Sequence, residues 1–143
     1  MAERTDPAKI ALIGHVALFA DCDRRALGHI ARLMDEHEIT PGSVLTRQGD
    51  PAGDFYVIIE GEAAVERDGE EIARLGEGDF FGELSLLDGG PRSATVTAAS
   101  PMFVLGLQPG KLEELVTSHP SVALTMLRTL AARLRGFEDT HRS

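Results

Sequence analysis

The chain has 143 residues, 43% of them apolar and 26% charged, with a formal net charge of −9 and one cysteine. That length and balance read as one globular domain with a single core. The acidity argues against a nucleic-acid surface, lone Cys22 cannot form an internal disulfide, and no apolar run approaches the roughly 18 residues of a membrane span.

The opening "MAERTDP" is too polar for a secretory signal, so the expected location is cytoplasmic. Cys22 is expected as a small buried hydrophobe. Residues 8–14 and 23–35 have helical spacing. In the second stretch Leu27, Ile30, Ala31 and Met34 recur at three and four, with Asp21 or Asp23 placed to cap its start. "DEHE" at 35–38 reads as the solvated end of that helix. From Ile39 to Gln108 short alternating runs ("SVLTRQ", "FYVIIEGEAAVER", "EIARL", "SATVTAA", "MFVLGL") are separated by Gly, Pro and Asp turns. Asp68-Gly69 between two such runs predicts a hairpin. About eight strands at this spacing imply a sandwich, jelly roll or barrel. "PGKLEELVTSHP" then predicts a short helix, and Pro120 to about Asp139 a longer one. The layout is a single domain over 1–143: a helical preface at 8–35, a β-barrel at 38–108 and C-terminal helices at 109–139.

One stretch departs from the generic, "GDFFGELSLLDGGPRSATV" at residues 78–96. It sets one carboxylate, Glu83, and one guanidinium, Arg92, among apolar residues. Gly82 permits close approach of the backbone. "ELSLL" can form a helical turn whose free N–H groups, at Gly82, Glu83, Leu84 and Ser85, suit an anion. Gly-Gly-Pro brings Arg92 back onto the same spot. Backbone donors with an arginine fit a monoanionic phosphate, and a carboxylate beside them fits a hydroxyl donor. A 3′,5′-cyclic nucleotide carries both groups, since cyclisation leaves only its ribose 2′-OH free. Spacing alone leaves a second reading open, in which Glu83 and Arg92 pair with each other and brace a turn.

"FGELSLLDGGPRSATV" resembles the phosphate-binding cassette of cyclic nucleotide-binding domains, of the catabolite-activator and protein kinase A regulatory-subunit type, whose pattern is F-G-E-L-A/S-L-L, a turn, then P-R-S/A/T-A-T-V. "PGSVLTRQGDPAGDFYVIIEGEAAV" is similar to the first hairpins of that family's barrel, and the resemblance extends over about residues 15–137. It implies a mainly β fold: an eight-stranded jelly-roll barrel (a double-stranded β-helix) with one N-terminal helix and two C-terminal helices. It further implies that Glu83 accepts from the ribose 2′-OH and Arg92 clamps the phosphate. Gly82, Ser85, Ser93 and Ala94 would add donors. Val65, Ile72, Ala73 and Leu84 would line the apolar part of the pocket, where ordinary core packing is the competing role, and Arg133 would approach the base. The implied ligand is cAMP, with cGMP the runner-up, bound by a regulatory module that needs no cofactor and no metal.

Two departures from the pattern matter. The catabolite-activator type continues into a helix-turn-helix domain, whereas this sequence stops at Ser143 with an acidic balance, so a stand-alone sensor without direct DNA or membrane contact is expected, acting on an unidentified effector. Hydroxyl-bearing residues of the family's last helix often contact adenine, and Phe137 and Glu138 stand at the matching positions. Along the same helix Ala123, Leu127, Leu130, Leu134 and Phe137 form a heptad stripe suited to a homodimer, while Val122, Met126 and Arg133 face elsewhere. The five histidines lack metal-ligand spacing, and no G-x-S-x-G, P-loop or H-E-x-x-H occurs, so no enzyme is expected. The alternative to a sensor is a non-binding jelly roll used for protein interaction or dimerisation.

Overall fold

The computed structural model describes residues 7–83 and 89–141, with side chains as far as Gly136. Helix α1 (Pro7–Gly14), a 3₁₀ turn (Ala17–Phe19) and α2 (Arg24–Leu33) lead into eight strands. These are β1 (Asp35–Ile39), β2 (Val44–Thr46), β3 (Phe55–Glu60), β4 (Ala63–Arg67), β5 (Glu70–Leu75), β6 (Phe80–Phe81), β7 (Thr95–Ala98) and β8 (Met102–Leu107). Helices α3 (Pro109–Ser118) and α4 (Pro120–His141) follow. Asp23 caps α2, its Oδ1 accepting from the Ala26 N–H at 2.8 Å.

The strands form two antiparallel sheets ordered β1-β8-β3-β6 and β2-β7-β4-β5. That order is a jelly roll. The sheets pack face to face and are not hydrogen-bonded into a closed barrel among the described residues. Asp68 (φ 55°) and Gly69 (φ 83°) both take the left-handed conformation that a two-residue β4–β5 hairpin needs.

Alternation along β3 and β8 divides the core in two. Phe55, Val57, Leu105 and Leu107 point to a layer of helices, joining Ile13, Phe19, Ile30, Leu112, Leu115, Val122 and Met126. Ile58, Val104 and Met102 point the other way, against Ala63, Phe81, Val96 and Ala98 of the inter-sheet core. The first sheet is thus covered on both faces, which is why "FYVII" reads as an unbroken apolar run.

"DEHE" is a correction. These residues are strand β1, not a helix end, and the sheet begins at Asp35 instead of at 38. Five register pairs with β8, from Asp35↔Gly106 to Ile39↔Met102, override the local pattern. As an edge strand β1 can turn its acidic side chains to solvent. Cys22 is only half-buried, its Sγ 3.9 Å from Ser121 Oγ, and burial holds its thiol above the ordinary range.

Candidate functional site

Arg92 is delivered by backbone. Its N–H donates to Asp50 O at 2.8 Å and its carbonyl accepts from the Gly49 N–H at 2.9 Å, stitching the 47–50 turn to the entry of β7. Thr46 Oγ1 donates to Ala94 O at 3.0 Å, and the Gln48 N–H donates to Thr95 Oγ1 at 2.9 Å, which extends the seam.

The Arg92 side chain turns inward and is 6% exposed. Nη2 donates to Asp54 O at 2.8 Å and Nη1 to Gly82 O at 3.4 Å. Both partners are neutral carbonyls, and two of the five guanidinium N–H groups are committed to them. The slot exists because two glycines flank it. A Cβ on Gly53 would stand 2.9 Å from Nη2, and one on Gly82 would stand 2.8 Å from both Nη1 and Asp54 O. Gly82 also sits at φ +93°, where a side chain would be strained.

Glu83, 5% exposed, lies immediately after this slot. Its Oε1 accepts from Arg133 Nη1 at 3.5 Å. The same guanidinium donates from Nη2 to Phe80 O at 2.8 Å and lies over the Phe80 ring, 4.5 Å from its centroid. The C-terminal helix is thereby tied to β6 and to the buried carboxylate at once. Tyr56 stacks on Phe81, ring centroids 5.1 Å apart, and its hydroxyl is held above the ordinary phenol range. Burial is the main cause; the Asp54 carboxylate adds to it and Arg92 opposes it.

The structure brings Gly82, Glu83, Arg92 and Arg133 together. It gives Glu83 and Arg92 partners of their own, Arg133 for one and backbone carbonyls for the other. Val65 faces Ala73 on β5 and Val96 on β7, and packs against the inter-sheet core. Ala73 is exposed and Ile72 is 49% exposed, so neither is ordinary core. The register shift beside Val65 leaves Ile72 without a paired residue. Ser93 is exposed and its carbonyl accepts from Arg67 Nε at 3.1 Å, whereas Ala94 is buried. Leu84, Ser85 and the turn they were expected to form lie outside the described residues, as do the side chains of Phe137 and Glu138. Sequence reasoning missed Gly53 and the Asp54 carbonyl, whose only signal was the turn-like "GDPAGDF". It also missed that His29 and His119, distant in sequence, meet in space. Among the described residues no group of three or more His, Cys, Asp or Glu is arranged to hold a metal ion.

Comparison with known proteins is consistent with this geometry. The family model described as cyclic nucleotide-binding domain matches residues 36–119. The chain is 34% identical over 125 residues to a cyclic nucleotide-gated potassium channel of Rhizobium etli, covering 87% of this chain and 35% of the channel. It is 26% identical over 129 residues to the CRP-like cAMP-activated global transcriptional regulator of Mycobacterium tuberculosis, covering 87% and 58%. Among solved structures, the N-terminal domain of a transcriptional regulator from Streptomyces coelicolor superposes with a TM-score of 0.66 at 36% identity, covering 90% of this chain and 95% of that one. The chain spans about a third of the length of the first curated relatives it matches.

Proposed function

The chain belongs to the cyclic nucleotide-binding domain family, a family of ligand-binding regulatory domains, and from that premise we propose that it binds cAMP in preference to cGMP and signals occupancy through α4. The observation that carries the reading is the state of Arg92. A guanidinium 6% exposed, whose hydrogen bonds go to two neutral carbonyls, makes no ion pair among the described residues. Burying such a charge is costly unless an anion joins it. A cyclic phosphate is a monoanion that a guanidinium binds by charge-assisted hydrogen bonds, and three N–H groups of Arg92 are not committed to the two carbonyls.

Glu83 then accepts from the ribose 2′-OH, with Gly82, Ser85, Ser93 and Ala94 as further donors and Val65, Ile72, Ala73 and Leu84 as the apolar wall. The exposure of Ile72 and Ala73 supports that wall, since neither packs into the core. Arg133 contacts Glu83, so a ligand that engages that carboxylate alters what holds α4 in place. Differential contact of this kind shifts the position of a helix. Binding requires no metal and no cofactor. The cAMP-activated regulator of M. tuberculosis supports the choice of nucleotide.

Leu127 and Leu134 are 62% and 59% exposed on α4 whereas Val122 and Met126 are buried, which supports a homodimer through that helix. Among the described residues no helix is long and apolar enough to cross a membrane, and the protein is read as a cytoplasmic regulator. Titration with cAMP and with 5′-AMP tests the reading. The cyclic monoanion should bind and the ring-opened dianion should not; equal affinity for both would overturn it.

A further inference from the structure

Away from the Arg92 site, a cavity of about 400 Å³ opens beside α2, lined by Asp23, Arg25, Ala26, His29, Arg32 and His119. Inside it His29 Nδ1 lies 2.8 Å from His119 Nε2, the rings 5.0 Å apart and inclined at 51°. His29 Nε2 lies 3.2 Å from Glu114 Oε2. We propose that His29 and His119 form a proton-sensitive clasp, which locks α2 to the corner between α3 and α4 and opens on acidification.

The corner is His119 itself. Its N–H donates to Leu115 O at 3.0 Å, closing α3, and its carbonyl accepts from the Val122 N–H at 2.9 Å, opening α4. Residues at element ends are where hinge motion is absorbed. A side chain that fixes this residue therefore fixes the direction of α4, the helix that carries Arg133 to Glu83.

Two ring nitrogens 2.8 Å apart hold one proton between them. With both rings neutral, His29 donates from Nε2 to Glu114, which leaves its Nδ1 to accept from His119 Nε2–H. One added proton keeps the contact, because the resulting cation still has a neutral ring facing it and Glu114 behind it. A second proton sets N–H against N–H and charge against charge. The groups facing the pair are Asp23, Arg25 and Arg32 from α2, and Glu114 with Lys111 beside it, at 3.8 Å, from α3. The first turn of α4, residues 120–123, carries no ionisable side chain.

Burial, and then the neighbouring His29, hold His119 below the ordinary imidazole range, with Asp23 opposing them. A histidine depressed in the folded state binds its proton more readily when unfolded. The stability it contributes is complete above the unfolded value near pH 6.5 and is lost as pH falls through the lower folded value. Each unit of depression changes the folding equilibrium about tenfold at the acid end.

The test follows the histidine Cε1–H resonances of the free protein from about pH 8 to pH 5.5, beside melting temperatures of the parent, His119→Gln and His29→Gln at both ends. Over that interval most carboxylates stay ionised. The clasp predicts that His119 titrates below about 6.5, and that the parent loses more melting temperature on acidification than either variant. If one variant does not fold, the other and the parent titration give the same readout. His119 titrating at the ordinary value, or parallel melting profiles in parent and variants, would overturn it.

Discussion

Arg133 Nη1 stands 3.5 Å from Glu83 Oε1, so the buried carboxylate of the candidate site is joined to the C-terminal helix. The pair is uneven, with side-chain exposures of 35% for Arg133 and 6% for Glu83. A half-exposed partner makes the ion pair itself weak. The Phe80 carbonyl and ring add a hydrogen bond and a cation–π contact, so Arg133→Ala should destabilise the fold by only about 1–2 kcal/mol. It should also loosen α4 and weaken cAMP binding. Denaturant unfolding and a binding isotherm on the same preparation check both effects.

Glu83→Gln separates the ribose contact from the phosphate contact. The Gln oxygen still accepts, but a bond to a neutral group is worth about 1–1.5 kcal/mol less than one to a charged group, so cAMP affinity should fall roughly 5- to 12-fold. For 2′-deoxy-cAMP, which lacks the hydroxyl, parent and variant should bind nearly alike. The four dissociation constants form a double-mutant cycle, and equal losses for both ligands would remove Glu83 from the ribose.

The two glycines of the Arg92 slot should behave differently. At Gly53 an added methyl meets the Arg92 guanidinium, 2.9 Å away, and no backbone atom within contact distance. Gly53→Ala should therefore displace the guanidinium and lower cAMP affinity, at a stability cost limited to its hydrogen bonds with the Asp54 and Gly82 carbonyls. At Gly82 the methyl meets the Asp54 carbonyl at 2.8 Å and the backbone is at φ +93°. Gly82→Ala should cost more than about 1 kcal/mol of stability as well as binding. Thermal unfolding with and without ligand distinguishes the two.

The α4 stripe is only partly free. Leu130 packs against the helical core, whereas Leu127 and Leu134 project outward with Leu124 at 48% exposure. Leu127→Lys with Leu134→Lys should dissociate a dimer without unfolding the monomer, because neither side chain is buried. Sedimentation velocity across a concentration series checks this. A parent that stays monomeric, or a dimer indifferent to both lysines, would contradict the seam.

The parts legible in the sequence were those that local pattern determines. The runs "FYVIIEGEAAVER", "EIARL" and "MFVLGL" became β3 to β5 and β8, and Asp68-Gly69 turned the hairpin, because alternation and left-handed turns are local properties. β1 was not legible. "DEHE" has no strand pattern, and only pairing with β8 makes it one. The site divides in the same way. Glu83 and Arg92 stood out as charges in apolar text, but Arg92's anchors are main-chain oxygens of Asp54 and Gly82, and carbonyls leave no mark on side-chain identity. The His29–His119 contact spans 90 residues and required the fold.

The most direct test of the central claim is isothermal titration of the parent and of Arg92→Ala with cAMP and with cGMP. The account predicts saturable heat for the parent, with cAMP tighter, and a loss in Arg92→Ala of about 2–5 kcal/mol, roughly 30- to several-thousand-fold, from removing one partner of a buried charge pair. Circular dichroism of the variant should match the parent. A parent that binds neither nucleotide, or an Arg92→Ala protein that binds cAMP as tightly as the parent, would contradict it.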